Sequence, residues 1–367
     1  MAQIKTITVK GFKSIRSLET FELRALNVLI GPNGAGKSNF IGALRFLSEV
    51  AGDNFPGYVQ KQGKPGALLY GGRKQTQTME FEVFGQPNGD FSNGYLITLE
   101  ATNDNRFIFT REETWVDGPL TPKGGRVYSL GRNHEEALVR SDATQVGRYV
   151  RSMMQSWRQY HFHDTSDLAA VKQAHSAKDT LRLKTDAGNL AAYLGRLRRQ
   201  HLEHYKQIVE TVRLVAPFFG DFVQRDEAED TVELEWTQKV DPDTPYGAAA
   251  LSDGTLRFIC LATLLLQPWW LLPDTVLIDE PELGLHPYAI GVLADLLKQV
   301  SEKRQLIVST QSVELLNALS PEDVVVVDRE GDESRFQRLD STELAGWLES
   351  YTPLGELWLR NVLGGRP

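Results

Sequence analysis

The sequence predicts an α/β fold with a mixed central sheet, an antiparallel β subdomain at its side and a helical insertion. Three observations predict it. The short apolar runs "LNVLI", "DTVLIDE", "RQLIVST" and "DVVVV" are separated by helical patterns, and strands buried on both faces with helical crossovers between them make parallel sheets. "TMEFEVFG", "GYLITLEAT" and "RFIFTREETWV" alternate apolar and polar residues and are joined by the turn-rich stretches "GQPNGDFSNG" and "TNDN", as antiparallel strands do. From about Glu135 to Phe218 the pattern is mostly helical.

In chain order, "IKTITVKGF" and "LNVLIGPNG" read as strands ended by glycine. "KSNFIGALRFLSEV" places Phe40, Ile41, Leu44, Phe46, Leu47 and Val50 at helical spacing. Residues 51–75, rich in Gly, Lys and Gln, read as surface loop. After the three alternating strands, "PLTPKGG" reads as a joint, and "GRYVRSMMQSWRQY" and "NLAAYLGRLRRQHLEHYKQIVETVRLV" are the clearest helical pieces. "DTVELEWTQKV" returns to strand. "GTLRFICLATLLLQ" then reads as a buried helix and "AIGVLADLLKQVS" as another, set among the last three apolar strands. The expected division is 1–132, the first half of a head; 133–225, the helical insertion; and 226–367, the second half.

With 367 residues, 41% hydrophobic, the chain can bury one large core or two modest ones. The opening residues hold no apolar h-region, which argues against a signal peptide, and no run of 18 apolar residues exists to span a membrane. The single cysteine, Cys260, cannot form an internal disulfide, so a reducing cytoplasm is expected. The net charge of −8 argues against a general nucleic-acid coat. Residues 139–215 nevertheless carry 13 Lys+Arg against 7 Asp+Glu, a local +6, which can mark an anion-facing element on an acidic body.

"GPNGAGKS", Gly31–Ser38, matches the phosphate loop G-x-x-x-x-G-K-[ST] in full, after a strand and at the opening of a helix. Gly31, Pro32, Asn33, Gly34, Ala35, Gly36, Lys37, Ser38 and Asn39 are therefore candidate ATP-binding residues. The glycines let backbone N–H groups turn toward phosphate oxygens, and the helix start favours an anion. Lys37 would reach the β- and γ-phosphates, and Ser38 would offer its hydroxyl to Mg²⁺. Asp279 and Glu280 close the apolar run of "TVLIDEPE". Asp279 is a candidate Mg²⁺ ligand, and Glu280 a candidate catalytic base for the attacking water. "LSDGTLRF" sets Ser252 as an N-cap and Gly254 in the first turn of a helix, a second anion-seeking helix start.

"GPNGAGKSN", "LSDGT", "VLIDEPELGLHP" and "STQS", in this order, resemble the ABC-class P-loop ATPase heads of the RecF/SMC/OLD group, and most nearly its single-head bacterial "AAA family" ATPases. The opening "IKTITVKGFKSIRS" resembles that group's first strand and turn, which implies that Lys13 or Ser14 lies near the nucleotide. The resemblance further implies a homodimer in which two heads sandwich two ATPs. Ser252 and Gly254 would then act across the interface, with Glu282–Pro287 where the subunits meet and His286 in an interface or structural role. Only 212 residues separate Ser38 from Leu251, without coiled-coil heptads, so a compact head without long arms is expected.

At Gln311, in "STQS", the group usually has a histidine that senses the γ-phosphate. A neutral amide stabilises developing negative charge less well. A lost charge-assisted hydrogen bond costs about 1.5–3 kcal/mol, or roughly 10- to 100-fold in rate. Gln311 is thus a candidate catalytic residue of a slow ATPase. Two further constellations stand apart. Arg196, Arg199 and His204 fall near one helical face, with Arg198 close by, and could contact DNA phosphates; a solvated face or a surface for an acidic protein fits as well. His161, His163 and Asp164, in "YHFHDTS", alternate as metal ligands on a strand would, but nothing nearby completes the set.

The function expected is ATP binding and slow hydrolysis, with ATP-dependent head-to-head dimerisation controlling a separately encoded effector, a nuclease or toxin, in DNA surveillance or anti-phage defence. The alternatives are a RecF-like DNA-repair ATPase and a non-hydrolysing ATP-gated scaffold. No position is assigned to the glutamine that links the phosphate site to the side domain.

Overall fold

The computed structural model describes residues 3–86, 89–119, 121–225, 230–342, 344, 346–347 and 353–365. Residues 87–88 of the expected turn at 85–94, residue 120 of the expected joint, and the last two residues of the chain lie outside these.

The central sheet has the order β17-β16-β3-β15-β14-β8. Here β3 is Leu26–Ile30, β8 Trp157–Tyr160, β14 Thr275–Asp279, β15 Gln305–Thr310, β16 Val324–Glu330 and β17 Glu333–Arg338. Five of these run parallel, and β17 pairs antiparallel with β16 at one edge. Successive strand side chains point to opposite faces, and both faces are covered. Val276, Ile278, Leu306 and Val308 join one core with the helices α7 (Asp253–Leu266) and α8 (Pro287–Ser301). Leu277 and Ile307 point the other way, into a core with α1 (Lys37–Val50). This is why the strands are apolar without alternation.

The second core is shared with the antiparallel sheet, order β2-β1-β4-β5-β6-β7, where β1 is Ile4–Phe12, β2 Ile15–Glu22, β4 Thr78–Gly85, β5 Ser92–Ala101, β6 Phe107–Asp117 and β7 Arg126–Gly131. Phe46 of α1 stacks on Phe81 of β4 with centroids 5.1 Å apart, and Phe12 and Phe55 complete the cluster. Gln305 ties the two sheets together: its amide donates to the Ile4 carbonyl at 2.7 Å and accepts from the Ile4 N–H at 3.0 Å. Aromatic packing on α1 thus fixes the phosphate-loop helix against both sheets.

Several expectations change. Residues 51–75 contain two short helices, α2 (Phe55–Lys61) and α3 (Lys64–Leu68). Phe55, Tyr58, Val59 and Leu68 are buried there, so the apolar minority governs this segment. The helix read through "GRYVRSMMQSWRQY" ends at Gln155 (α4, Gln145–Gln155), and "WRQY" becomes β8, the edge strand beside β14. The stretch expected as a helical insertion therefore adds a strand to the central sheet. Its long helical run is two helices, α5 (Leu190–Gln200) and α6 (Leu202–Val215), broken at His201, where φ is −140°. Among the described residues no helix is long and apolar enough to cross a membrane.

Candidate phosphate site

The parallel strands β3, β14 and β15 end side by side, with Asp279 opposite Ser309 and Thr310 opposite Ile30. In an open α/β sheet these carboxyl ends are where ligands bind. The Gly31–Asn39 loop leaves β3 and enters α1. Gly36 has φ 120°, and a Cβ there would sit 2.1 Å from Ser334 Oγ of β17, so only glycine fits. The Ser334 hydroxyl donates to the Ala35 carbonyl at 2.5 Å and accepts from the Ser14 hydroxyl at 2.6 Å, while Asn39 donates to Ser14 at 2.7 Å. Ser14 thus braces the loop from behind. Lys13 next to it has φ 49°, and its half-buried ammonium lies 5.6 Å from the Phe12 ring centroid, beside Gly42. Burial lowers its pKa, with Arg45 adding to the shift.

Lys37 is 5% exposed, and its Nζ donates to the Gly31 and Pro32 carbonyls at 2.7 and 3.1 Å. Burial lowers its pKa, against the pull of Glu280, Asp279 and Glu282. Ser38 Oγ donates to Asp279 Oδ2 at 3.3 Å, and Ser309 Oγ donates to the other Asp279 oxygen. Glu280 adopts φ 44° and its N–H donates to the Ser309 carbonyl at 2.8 Å. A left-handed non-glycine residue stores about 1–3 kcal/mol of strain, a mark of functional sites. In this conformation the Glu280 carboxylate lies within hydrogen-bond reach of the Gln311 amide, which also donates to Asn33 Oδ1 at 2.8 Å. The phosphate loop, the acidic pair and Gln311 are therefore joined by two chains of hydrogen bonds, one through Asp279 and one through Gln311.

One participant was not apparent from spacing. Glu282 accepts from Thr310 Oγ1 at 2.6 Å and from the Gln311 N–H at 3.1 Å, and its other oxygen is buried without a partner. Burial raises its pKa, opposed by those donors. It joins the 281–286 turn to the segment carrying Gln311. Its three-residue separation from Asp279 carries no recognisable pattern, so only the fold shows this contact.

Ser252 caps α7, accepting from the Thr255 N–H at 3.2 Å. Gly254 packs on the 281–286 turn, where a Cβ would lie 2.4 Å from the Gly284 carbonyl oxygen. Arg257, one turn on, donates to the Leu283 carbonyl at 2.8 Å and to the His163 carbonyl at 2.7 Å. Leu283 in the 281–286 turn and Tyr288 in the first turn of α8 are 46% and 57% exposed. His286 caps α8, its Nδ1 accepting from the Tyr288 N–H at 3.2 Å, which is a structural role.

The two side constellations do not assemble as read. His161 and His163 lie beyond the end of β8, in a loop, so they do not share a strand face. Among the described residues no group of three His, Cys, Asp or Glu could hold a metal ion. The break at His201 puts Arg196 and His204 on different helices. Arg196 is engaged by the Thr180 and Leu181 carbonyls at 2.9 and 2.5 Å, and Arg198 lies 3.8 Å from Asp221 and over the Tyr205 ring. Cys260 is buried, and burial pushes its thiol up to about 12, an inert state.

Residues 26–317 match the family model described as "AAA domain, putative AbiEii toxin, Type IV TA system". The Old nuclease of Escherichia phage P2 is 22% identical over 400 aligned positions, covering 96% of this chain and 63% of that protein. The phosphate import ATP-binding protein PstB of Campylobacter jejuni is 28% identical over 114 residues, covering 30% of this chain and 45% of that protein. The chain thus spans less than two thirds of the length of these curated relatives. Among solved structures, an Smc head bound to the C-winged helix domain of ScpA superposes with a TM-score of 0.61 at 16% identity, covering 93% of this chain and 99% of that one. An Smc head from Pyrococcus furiosus, with an extended coiled coil and bound to the C-terminal domain of ScpA, gives 0.60 at 14% identity, covering 96% and 100%. These likenesses establish the fold, that of an ABC-type ATPase head.

Proposed function

We propose, because this chain belongs to the AAA-domain family whose model it matches and is an ABC-class ATPase head of the SMC and OLD group, that it binds ATP in the Gly31–Asn39 loop and hydrolyses it slowly. The observation that carries this reading is the pair of hydrogen-bond chains that unite the three strand ends. Backbone N–H groups of the loop and the start of α1 receive the phosphates. Lys37, held by the Gly31 and Pro32 carbonyls, turns to the β- and γ-phosphates. Glu280 orients the attacking water and accepts its proton. Gln311, already within reach of Glu280 and Asn33, contacts the transferring phosphoryl group as a neutral donor. Mg²⁺ prefers oxygen ligands, and Ser38 and Asp279, 3.3 Å apart, are the oxygens that fit it. When bound it neutralises charge on the phosphate oxygens.

Slow turnover follows from Gln311, as an amide in place of a cation forgoes about 1.5–3 kcal/mol of transition-state stabilisation. Dimerisation follows from the Ser252 helix start, whose cap and neighbouring N–H groups would close on ATP held by a second copy, with exposed Leu283 and Tyr288 at the seam. The head halves 1–132 and 226–367 then flank the 133–225 insertion, whose β8 completes the sheet. A relative named as a nuclease and a family description that includes a toxin support an effector function of that class in DNA surveillance or anti-phage defence.

Phosphate release by the purified protein tests the enzymatic reading. Wild type should turn over slowly, and Glu280→Gln should retain ATP while losing release by at least about 100-fold. Equal release by both would remove Glu280 from the mechanism. No release by wild type would favour the ATP-gated scaffold.

A further inference from the structure

The fold gathers a set of cations that no stretch of sequence holds together. Arg45 lies on α1, Arg148 and Arg151 on α4, Arg158 on β8, and Arg182 in the loop before α5. They line two adjoining hollows, of about 650 and about 200 Å³, which share Ser48, Glu49 and Arg158. Glu49 is the only carboxylate in the lining, and its contact with Arg45 is a loose 4.0 Å. Arg151 donates to the Arg140 carbonyl. Among the described residues, Arg148, Arg158 and Arg182 have no carboxylate partner. Five guanidinium groups against one carboxylate form the cleft on a chain of net charge −8.

A concave surface lined by one sign of charge focuses the field and raises the local concentration of anions. We infer that this cleft binds the phosphate backbone of a nucleic acid. The lining chooses the partner. The larger hollow is walled by arginines, serines, a glutamine, a glutamate and a glycine, and offers no apolar pocket to anchor a protein side chain. Planar guanidinium forks match phosphate oxygens in pairs. Two hollows in series suit a chain of phosphates better than one small anion. Trp157, in the lining of the smaller hollow, is 4% exposed and cannot offer its face to a base, which leaves the His161 ring as the one stacking surface in either lining. Binding is therefore to the backbone, without sequence preference and strongly weakened by salt. This surface differs from the α5 arginines, of which Arg196 and Arg198 are occupied within the fold, and it stands independently of the hydrolysis mechanism.

The test is fluorescence anisotropy with labelled DNA duplexes and single strands and with RNA, titrated with the full chain at several salt concentrations. The triple variant Arg148→Glu, Arg158→Glu, Arg182→Glu should lose affinity by on the order of 100-fold and flatten the salt slope by about 3, roughly one for each phosphate contact. Arg16→Glu, a reversal on exposed β2, should bind like wild type, and the milder Arg→Gln triple should fall between, with thermal melts showing each variant folded. Wild type that binds no nucleic acid at low salt would overturn the inference. So would a folded triple variant that binds like wild type, and so would poly-glutamate competing as well as the nucleic acid, which would assign the cleft to an acidic protein.

Discussion

Gln311 is held between Asn33 Oδ1 and the Glu280 carboxylate, where the proposed mechanism has it meet the charge on the transferring phosphoryl group. Replacing it with histidine restores a group that can carry positive charge, and Gln311→His should raise the rate constant of phosphate release by roughly 10- to 100-fold. A rate within twofold of wild type in steady-state assays would mean that glutamine is equivalent here. Glu282 supplies a second test. Burial holds its carboxyl above the ordinary carboxylate range, so the folded protein binds that proton more tightly than the unfolded chain. Its stabilising effect is fully present below the ordinary carboxylate pKa and is lost as pH rises through the raised value. The melting temperature of wild type minus that of Glu282→Gln should therefore fall as pH rises through and beyond the ordinary carboxylate range; a flat difference would contradict it. Gln311 was visible in the sequence as a departure within a motif, whereas Glu282, read there only as part of the subunit seam, shows its bonds to Thr310 and Gln311 only in the fold because those partners lie 28 and 29 residues away.

At the scale of elements, α7 and the 281–286 turn form one unit. Gly254 allows their close approach, and Arg257 bonds the Leu283 carbonyl. Gly254→Ala pushes a Cβ against the Gly284 carbonyl oxygen, and overpacking of this kind costs about 1–3 kcal/mol. We expect a lowered melting temperature, and ATP-dependent dimerisation weakened more than ATP binding; unchanged light scattering would separate the helix start from the interface. The strands β3, β14, β15 and β16 and the helices α1, α7 and α8 were legible because apolar runs and 3.6-residue spacing survive burial. The strand β8 was not, since "WRQY" directly continues the pattern of α4 and its strand character comes from pairing with β14. The break between α5 and α6 was hidden likewise, because His201 has no strong local signal of a helix end.

For the whole molecule, the phosphate loop sits at the strand ends, and Ser252 presents the start of α7 beside the exposed Leu283. The charge pattern shows what a linear reading misses. Residues 139–215 carry a local +6, but Arg196 and Arg198 of α5 engage carbonyls and Asp221, and Arg148, Arg151, Arg158 and Arg182 meet only in three dimensions. The central proposal is that a second copy closes each phosphate site. Multi-angle light scattering of Glu280→Gln, with and without ATP and Mg²⁺, tests it most directly. We predict a monomer that becomes a dimer with ATP, a shift abolished by Ser252→Arg. A nucleotide-loaded Glu280→Gln protein that stays monomeric at high concentration would contradict it.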